Sequence, residues 1–330
     1  MKRRTRGICV FLLLAALSLT GCSFFGKTLV WDTQSLHAIG NIFAINDSKC
    51  TSEEARLYLA NYTNLYGSAY GIDLLDHDFG DASLTEYIQS VTLDELTRIY
   101  VLDELAETAG MELDEAEITK VAECASSYME LLGKQQATAL GLDEKELKTC
   151  YEHYALAEKY FADKLQVTDA QISEEDARVI HARVCLTTDQ ENTAAVAKAL
   201  ESGKDFTTTA SAYNTTDSVD VYVTRGMYPE EVEKVIYYLE DGETAGPITT
   251  AEGTYFFYII SKYDEEKSEQ NREQVRSDRE AAAYQAAYDS FLQEASVVLN
   301  ETRWKDLLAE DISSVTTDDF FEVYEQVFGE

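Results

Sequence analysis

A chain of 330 residues with 45% apolar content can build two modest domains with real cores. Its 61 acidic residues against 27 basic ones give a net charge of −34. That charge excludes nucleic acid as a partner and disfavours adsorption to anionic lipid or wall polymer, while leaving room for basic protein segments.

The first residues read as a targeting segment. Lys2, Arg3, Arg4 and Arg6 form a basic start, and Ile8 to Leu19 is an apolar run too short for a comfortable membrane span. Leu19-Thr20-Gly21-Cys22 resembles the bacterial lipobox. The resemblance implies cleavage after residue 21, acylation of Cys22, a tether over residues 22–37 and an extracytoplasmic, membrane-anchored protein. A plain signal peptide or an N-terminal anchor helix is the competing reading. Removing the four basic residues shifts the charge from −34 to −38. No later apolar run approaches membrane-spanning length.

Ala38–Ile45 alternates like a strand and is followed by the turn Asn46-Asp47-Ser48-Lys49. Helices are predicted over Ser52–Tyr66, Leu84–Glu107, Asp114–Leu132 and Asp143–Leu165. Gly110 and Gly141 end helices, and Asp114 and Asp143 cap the next ones. Leu93, Leu96, Ile99, Tyr100, Leu102 and Leu105 form an apolar stripe at helical spacing, readable as core or as a client groove. His77, between Asp76 and Asp78, is the one acidic-histidine cluster, and an exposed loop explains it more simply than a metal site. Cys50, Cys124, Cys150 and Cys185 show no close pairing or metal-like spacing; export permits disulfides, but three pairings remain open and buried thiols are the default.

Val167–Glu175 reads as a boundary. Beyond it, period-2 and period-3.6 segments alternate within a short span: a strand through Ile180, Ala182, Val184 and Leu186, then a helix through Ala194, Val196, Ala197 and Leu200. A second helix to Tyr213, an extended Val219–Val223, a helix Glu230–Leu239, an Asp-Gly turn and a strand Thr254–Ser261 complete a small α/β unit. A charged run, Asp264–Arg279, leads into a long helix to about Leu299, and Asp318–Phe328 is an amphipathic helix with an aromatic stripe.

Residues 176–264 resemble the parvulin (PpiC) family of peptidyl-prolyl isomerases. The matching residues are Ala182-Arg183, Gly203-Lys204-Asp205-Phe206, Ala210, Tyr213, Arg225-Gly226-Met227, Pro229-Glu230 and Leu239-Glu240-Asp241-Gly242-Glu243. The family's two strand histidines are absent. Val184 stands in place of the first, and Tyr255 or Tyr258, depending on alignment, in place of the second. His181 lies three residues early, and that shift points it at the opposite face of its strand. The resemblance assigns Met227, Val221 and Val232, with Val184, to a proline-binding pocket, and places Thr216 or Asp217 near a polar catalytic position. A tyrosine hydroxyl still hydrogen-bonds, so an active isomerase and an inactive parvulin-like scaffold both stay open. Neither implies a metal, nucleotide or other cofactor.

The strand–turn–helix opening at Ala38–Glu54 and the helical connectors resemble extracytoplasmic foldases of the SurA/PrsA type. The resemblance implies an α+β architecture: a helical chaperone domain, discontinuous in sequence (38–166, with C-terminal helices over 265–330), carrying an inserted parvulin-like domain. It implies unfolded or partly folded exported proteins and their Xaa-Pro segments as partners. A non-catalytic holdase is one alternative. A solute-binding lipoprotein is another, and it predicts two α/β lobes built of repeated strand–helix units.

Overall fold

A computed structural model describes residues 40–70, 83–310 and 312–329, so the leader, Cys22, the tether and His77 lie outside the described residues. The chain divides into two compact units, one comprising residues up to Gln166 and from Ala283 onward, the other Val167–Ala282. In chain order the first unit opens with β1 (Phe43–Ile45), β2 (Ser48–Cys50), α1 (Ser52–Tyr70), α2 (Leu84–Thr108), α3 (Glu115–Leu140) and α4 (Glu144–Tyr160). The second contributes α5 (Glu174–Ala177), β3 (Ile180–Thr187), α6 (Gln190–Glu201), α7 (Phe206–Tyr213), β4 (Asp220–Val223), α8 (Glu230–Ile236), β5 (Thr244–Thr249) and β6 (Thr254–Ser261). Helix α9 (Glu265–Phe291) carries residues of both units, and β7 (Val297–Leu299), α10 (Glu301–Leu308) and α11 (Phe320–Phe328) close the chain. The described residues therefore form an α+β protein, with two antiparallel sheets and no repeated strand–helix lobes of the solute-binding kind.

In the first unit, helix starts follow their caps. Asp114 accepts the Glu117 amide at 2.9 Å while Glu117 accepts the Asp114 amide at 2.7 Å, and Asp143 and Glu146 repeat the exchange. Helix α3 breaks at Gly133, whose φ of 62° is left-handed, which is why the periodic pattern stops at Leu132 before about two further turns resume. The Leu96–Leu102 stripe is core: Leu96, Ile99, Tyr100 and Leu102 are fully buried. So is the C-terminal aromatic stripe, since Phe320 stacks on Tyr151 at 4.2 Å and Tyr151 Oη donates to the Phe320 carbonyl at 2.9 Å.

One expectation fails here. The helix predicted to run to Leu299 ends at Phe291, and Val297–Leu299 instead pairs with β1, in the order β2-β1-β7. Two β-branched residues and a leucine satisfy the open edge of a strand some 250 positions away, a pairing no local pattern announces. Cys50, Cys124 and Cys150 here, and Cys185 in the second unit, are free and buried.

The second unit is a four-stranded sheet in the order β4-β3-β6-β5, antiparallel throughout. It extends past 176–264 on both sides because the start of α9 clasps the segment before β3. Arg272 donates to the Ile172 carbonyl at 2.8 Å, Asn271 to that of Ala177 at 3.0 Å, and Arg279 pairs with Asp176 at 3.0 Å.

Candidate functional site

Alternation along β3 and β6 sends side chains to two faces. One face gathers Ile180, Ala182, Val184, Tyr255, Phe257 and Ile259 with Val223 and the α8 residues Val232 and Ile236. The other gathers Cys185, Phe256 and Tyr258 beneath α6 and α7, through Val196, Phe206 and Ala210. Register places Val184 opposite Phe257 and Leu186 opposite Tyr255.

These faces sort the sequence-derived candidates. Val184, Val232 and Tyr255 are buried on the first face, and Val221 packs against it. Tyr258 lies on the second face, with Arg183 over its ring at 5.8 Å and Phe206 at 6.0 Å. It does not share a site with Val184, and the alignment through Ile259-Ile260 is corrected accordingly. The reason is parity: residues three apart on a strand face opposite ways, and the irregularity in β6 falls beyond Tyr258, opposite His181–Ala182. His181 lies away from the first face as well, stacked on Tyr222 at 4.5 Å and bonded to Asp220 at 2.8 Å.

Met227, assigned by the resemblance to the proline pocket, reaches solvent. It is 52% exposed and absent from the apolar cluster. Its neighbour Tyr228 turns in instead, edge-on to Tyr255 at 5.5 Å and to Phe257 at 5.2 Å. The 225–228 turn is held at both ends. Glu233 accepts the Gly226 and Tyr228 amides at 2.7 and 3.4 Å, and Arg225 lies 3.5 Å over the Tyr237 ring while pairing with Glu175 at 2.8 Å. Tyr228 and Val232 stand four apart at the head of a helix, the one sequence signal that could have singled out Tyr228.

Thr216 and Asp217 sit on a loop tied to the end of β3. Asn214 accepts the Leu186 amide at 2.9 Å and donates to Thr216 Oγ1 at 2.7 Å, and Val184 N donates to the Val219 carbonyl at 2.8 Å. Thr216 Oγ1 is engaged with the Ser218 carbonyl, and Asp217 is exposed. On the other side, Gly253 closes the β5–β6 turn with φ 145°, where a Cβ would meet the Thr187 carbonyl oxygen at 2.5 Å. This turn brings Glu252 to the Tyr255 hydroxyl, which donates to its carboxylate at 2.5 Å. Asn214, Tyr228 and Glu252 are the site residues that sequence reasoning missed.

Chemically the face is an apolar, aromatic shelf with one hydroxyl. Burial, reinforced by the bond to Glu252, holds the Tyr255 phenol well above its usual range, so it stays protonated at neutral pH. The thiol of Cys185 lies on the opposite face and is pushed up to about 11 by burial, which makes it a poor nucleophile. Among the described residues no group of three or more His, Cys, Asp or Glu is placed to hold a metal ion, and no helix is long and apolar enough to cross a membrane.

Residues 142–277 match the family model described as the PPIC-type PPIase domain. A curated relative, the foldase protein PrsA of Oceanobacillus iheyensis, is 26% identical over 247 residues, covering 69% of this chain and 82% of the relative. Among solved structures, PrsA from Bacillus cereus is 19% identical over 73% of this chain and 90% of its own, with a TM-score of 0.36. PrsA from Bacillus subtilis is 24% identical over 68% and 89%, with a TM-score of 0.27.

Proposed function

We propose that this chain, a PrsA-type foldase carrying a PPIC-type PPIase domain, assists the folding of exported proteins on the outer side of the bacterial cell membrane. The helical first unit holds unfolded or partly folded clients, and the second speeds isomerisation of their Xaa-Pro bonds, a slow step in folding. Cys22 is the proposed lipid anchor. The observation that carries the reading is that the PPIC-type match covers a sheet with an aromatic face, flanked by two tethered loops, where Tyr228, Tyr255 and Phe257 meet.

The reaction makes and breaks no bond, yet its barrier is about 18–20 kcal/mol because rotation forfeits amide resonance. A planar amide is more polar than a twisted one, so an apolar shelf that strips water from the prolyl amide disfavours the ground state. The proline ring meets the half-buried Tyr228, behind which the fully buried Phe257 and Val184 form a dry core. The Tyr255 hydroxyl is committed as a donor to Glu252, so it meets the substrate with its oxygen lone pairs unless that bond is exchanged.

A second reading, a holdase without catalysis, is favoured by one feature: the directly opposed pair Val184 and Phe257 brings no hydrogen-bonding group to the strand centre. Two-dimensional exchange NMR on an Xaa-Pro peptide, with the full chain, separates the two. Catalysis predicts faster cis–trans exchange, reduced about two- to tenfold in Tyr255→Phe, the worth of one hydrogen bond, and more in Tyr228→Ala. Unchanged exchange with the wild type, together with suppressed aggregation of an unfolded client, would leave the holdase reading.

A further inference from the structure

The turn between β5 and β6 sets a carboxylate against the aromatic face, and its hydrogen bond to Tyr255 distinguishes it from acids of this unit that are held by bases or backbone amides. Glu175 pairs with Arg178 and Arg225, Glu240 pairs with Lys262, and Glu233 accepts two backbone amides. Glu252 accepts only a neutral phenol and forms no ion pair among the described residues. One of its oxygens holds the Tyr255 hydroxyl, which leaves the other available on an exposed side chain. The aromatic wall beside it is equally without a cation. Arg178 and Arg225 lie over Tyr237, Arg183 over Tyr258 and Lys267 over Tyr222 instead.

We propose that Glu252 is a specificity-determining residue that selects client segments with lysine or arginine beside the proline. The inference rests on the reading that the proline ring docks at the half-buried Tyr228, whose ring lies 5.5 Å from that of Tyr255. Tyr255 links that place to the β5–β6 turn, so the side chain of a neighbouring residue is within reach of Glu252. A cation at that place gains the carboxylate. An acidic side chain meets like charge without a compensating base. Because Glu252 is exposed, the selection is modest, about three- to tenfold, as for charge pairs at the rim of an interface.

The test uses the full chain and three short peptides that differ only in the residue before proline: lysine, alanine or glutamate. Cis–trans exchange rates and chemical-shift titrations are measured in parallel for wild type and Glu252→Gln, which keeps an acceptor for the Tyr255 hydroxyl. The expected result is a lysine-to-glutamate ratio of about three to ten in the wild type, falling with added salt as surface charges are screened. In Glu252→Gln the ratio falls to about one. Equal rates and affinities in the wild type, or a preference that survives in Glu252→Gln, overturn the proposal. If no peptide exchanges faster with the wild type, the isomerase reading fails and the titrations alone decide. Tighter binding of the lysine peptide, lost in Glu252→Gln, then sustains selection by a binding surface, and equal or absent binding overturns it.

Discussion

In the first unit the buried Glu54, Tyr100 and Asp103 lie close to the half-buried His153. Glu54 is 3% exposed, accepts the Tyr100 hydroxyl at 2.5 Å and lies 3.3 Å from His153 Nδ1. Burial by itself lowers the His153 pKa, but the Glu54 carboxylate and, less closely, Asp103 outweigh it and raise the group to about 9. Burial pushes Asp103 up to about 7, against the pull of His153, and leaves its Oδ1 without a hydrogen-bond partner. The signs differ in window. A histidine raised from 6.5 to about 9 stabilises the fold below pH 6.5 by up to about 3 kcal/mol, and that contribution is lost as pH rises through 9. An aspartate raised from 3.8 to about 7 stays protonated in the fold, so stability falls as pH rises from about 4 to 7. Thermal melting across pH 4–10 should therefore show the alkaline loss reduced in His153→Gln and the loss below neutrality reduced in Asp103→Asn. Parallel curves for wild type and both variants would contradict the assignment.

At the scale of elements, α11 is held by one ring more than by its length. Phe320 is fully buried, stacks on Tyr151, and lies 5.3 Å from Tyr58 and 5.6 Å from Tyr128. Asn61, itself buried, accepts the Phe320 amide at 3.2 Å and donates to Tyr128 Oη at 2.8 Å, so the first turn of the helix is anchored by backbone as well as ring. Phe320→Ala should cost about 3–5 kcal/mol, the range for a phenylalanine deleted from a core that cannot collapse onto the cavity. Urea unfolding monitored at the first unit measures it, and a loss below about 1 kcal/mol would mean that α11 is peripheral to the core. Elements also explain the pattern of agreement with sequence. The caps at Asp114 and Asp143 and the strand Thr254–Ser261 were readable because their signals lie within a few residues. Strand β5 and helix α10 were not anticipated. Strand β5, with Gly246 and Pro247 inside it, has neither an alternating pattern nor high β-propensity, and it becomes a strand by pairing with β6.

At the scale of the whole molecule, the proposed anchor decides where the chain works. Acylated Cys22 would keep a strongly acidic chain at the membrane surface, which its own charge would otherwise disfavour. Cys22→Ser should move the protein from the membrane fraction to the soluble fraction or the medium, with exchange activity toward a free peptide unchanged. Retention of the variant in the membrane fraction would remove the lipid-anchor reading and favour an uncleaved anchor helix.

By itself the sequence determined the class of the molecule. Helical periodicity with capped ends, an α/β segment between helical parts, and the order of motifs from Ala182 to Glu243 are local signals, and they carried the α+β architecture and the PPIC-type domain. The resemblance it carries marked Val184, Val221, Val232 and Tyr255, and in the structure these lie on or against one face, since residues of one parity on paired strands, or on a helix packed beneath them, share it. Tertiary structure alone decided the rest. Which tyrosine reaches that face, 255 or 258, depended on register across β3 and β6. Whether Met227 or Tyr228 turns inward depended on where Glu233 and Arg225 fix a four-residue turn. Val297–Leu299 became a strand because β1, far away in the chain, presented an open edge. Each of these outcomes is set by groups distant in sequence, whose hydrogen bonds and contacts exist only once the chain has closed.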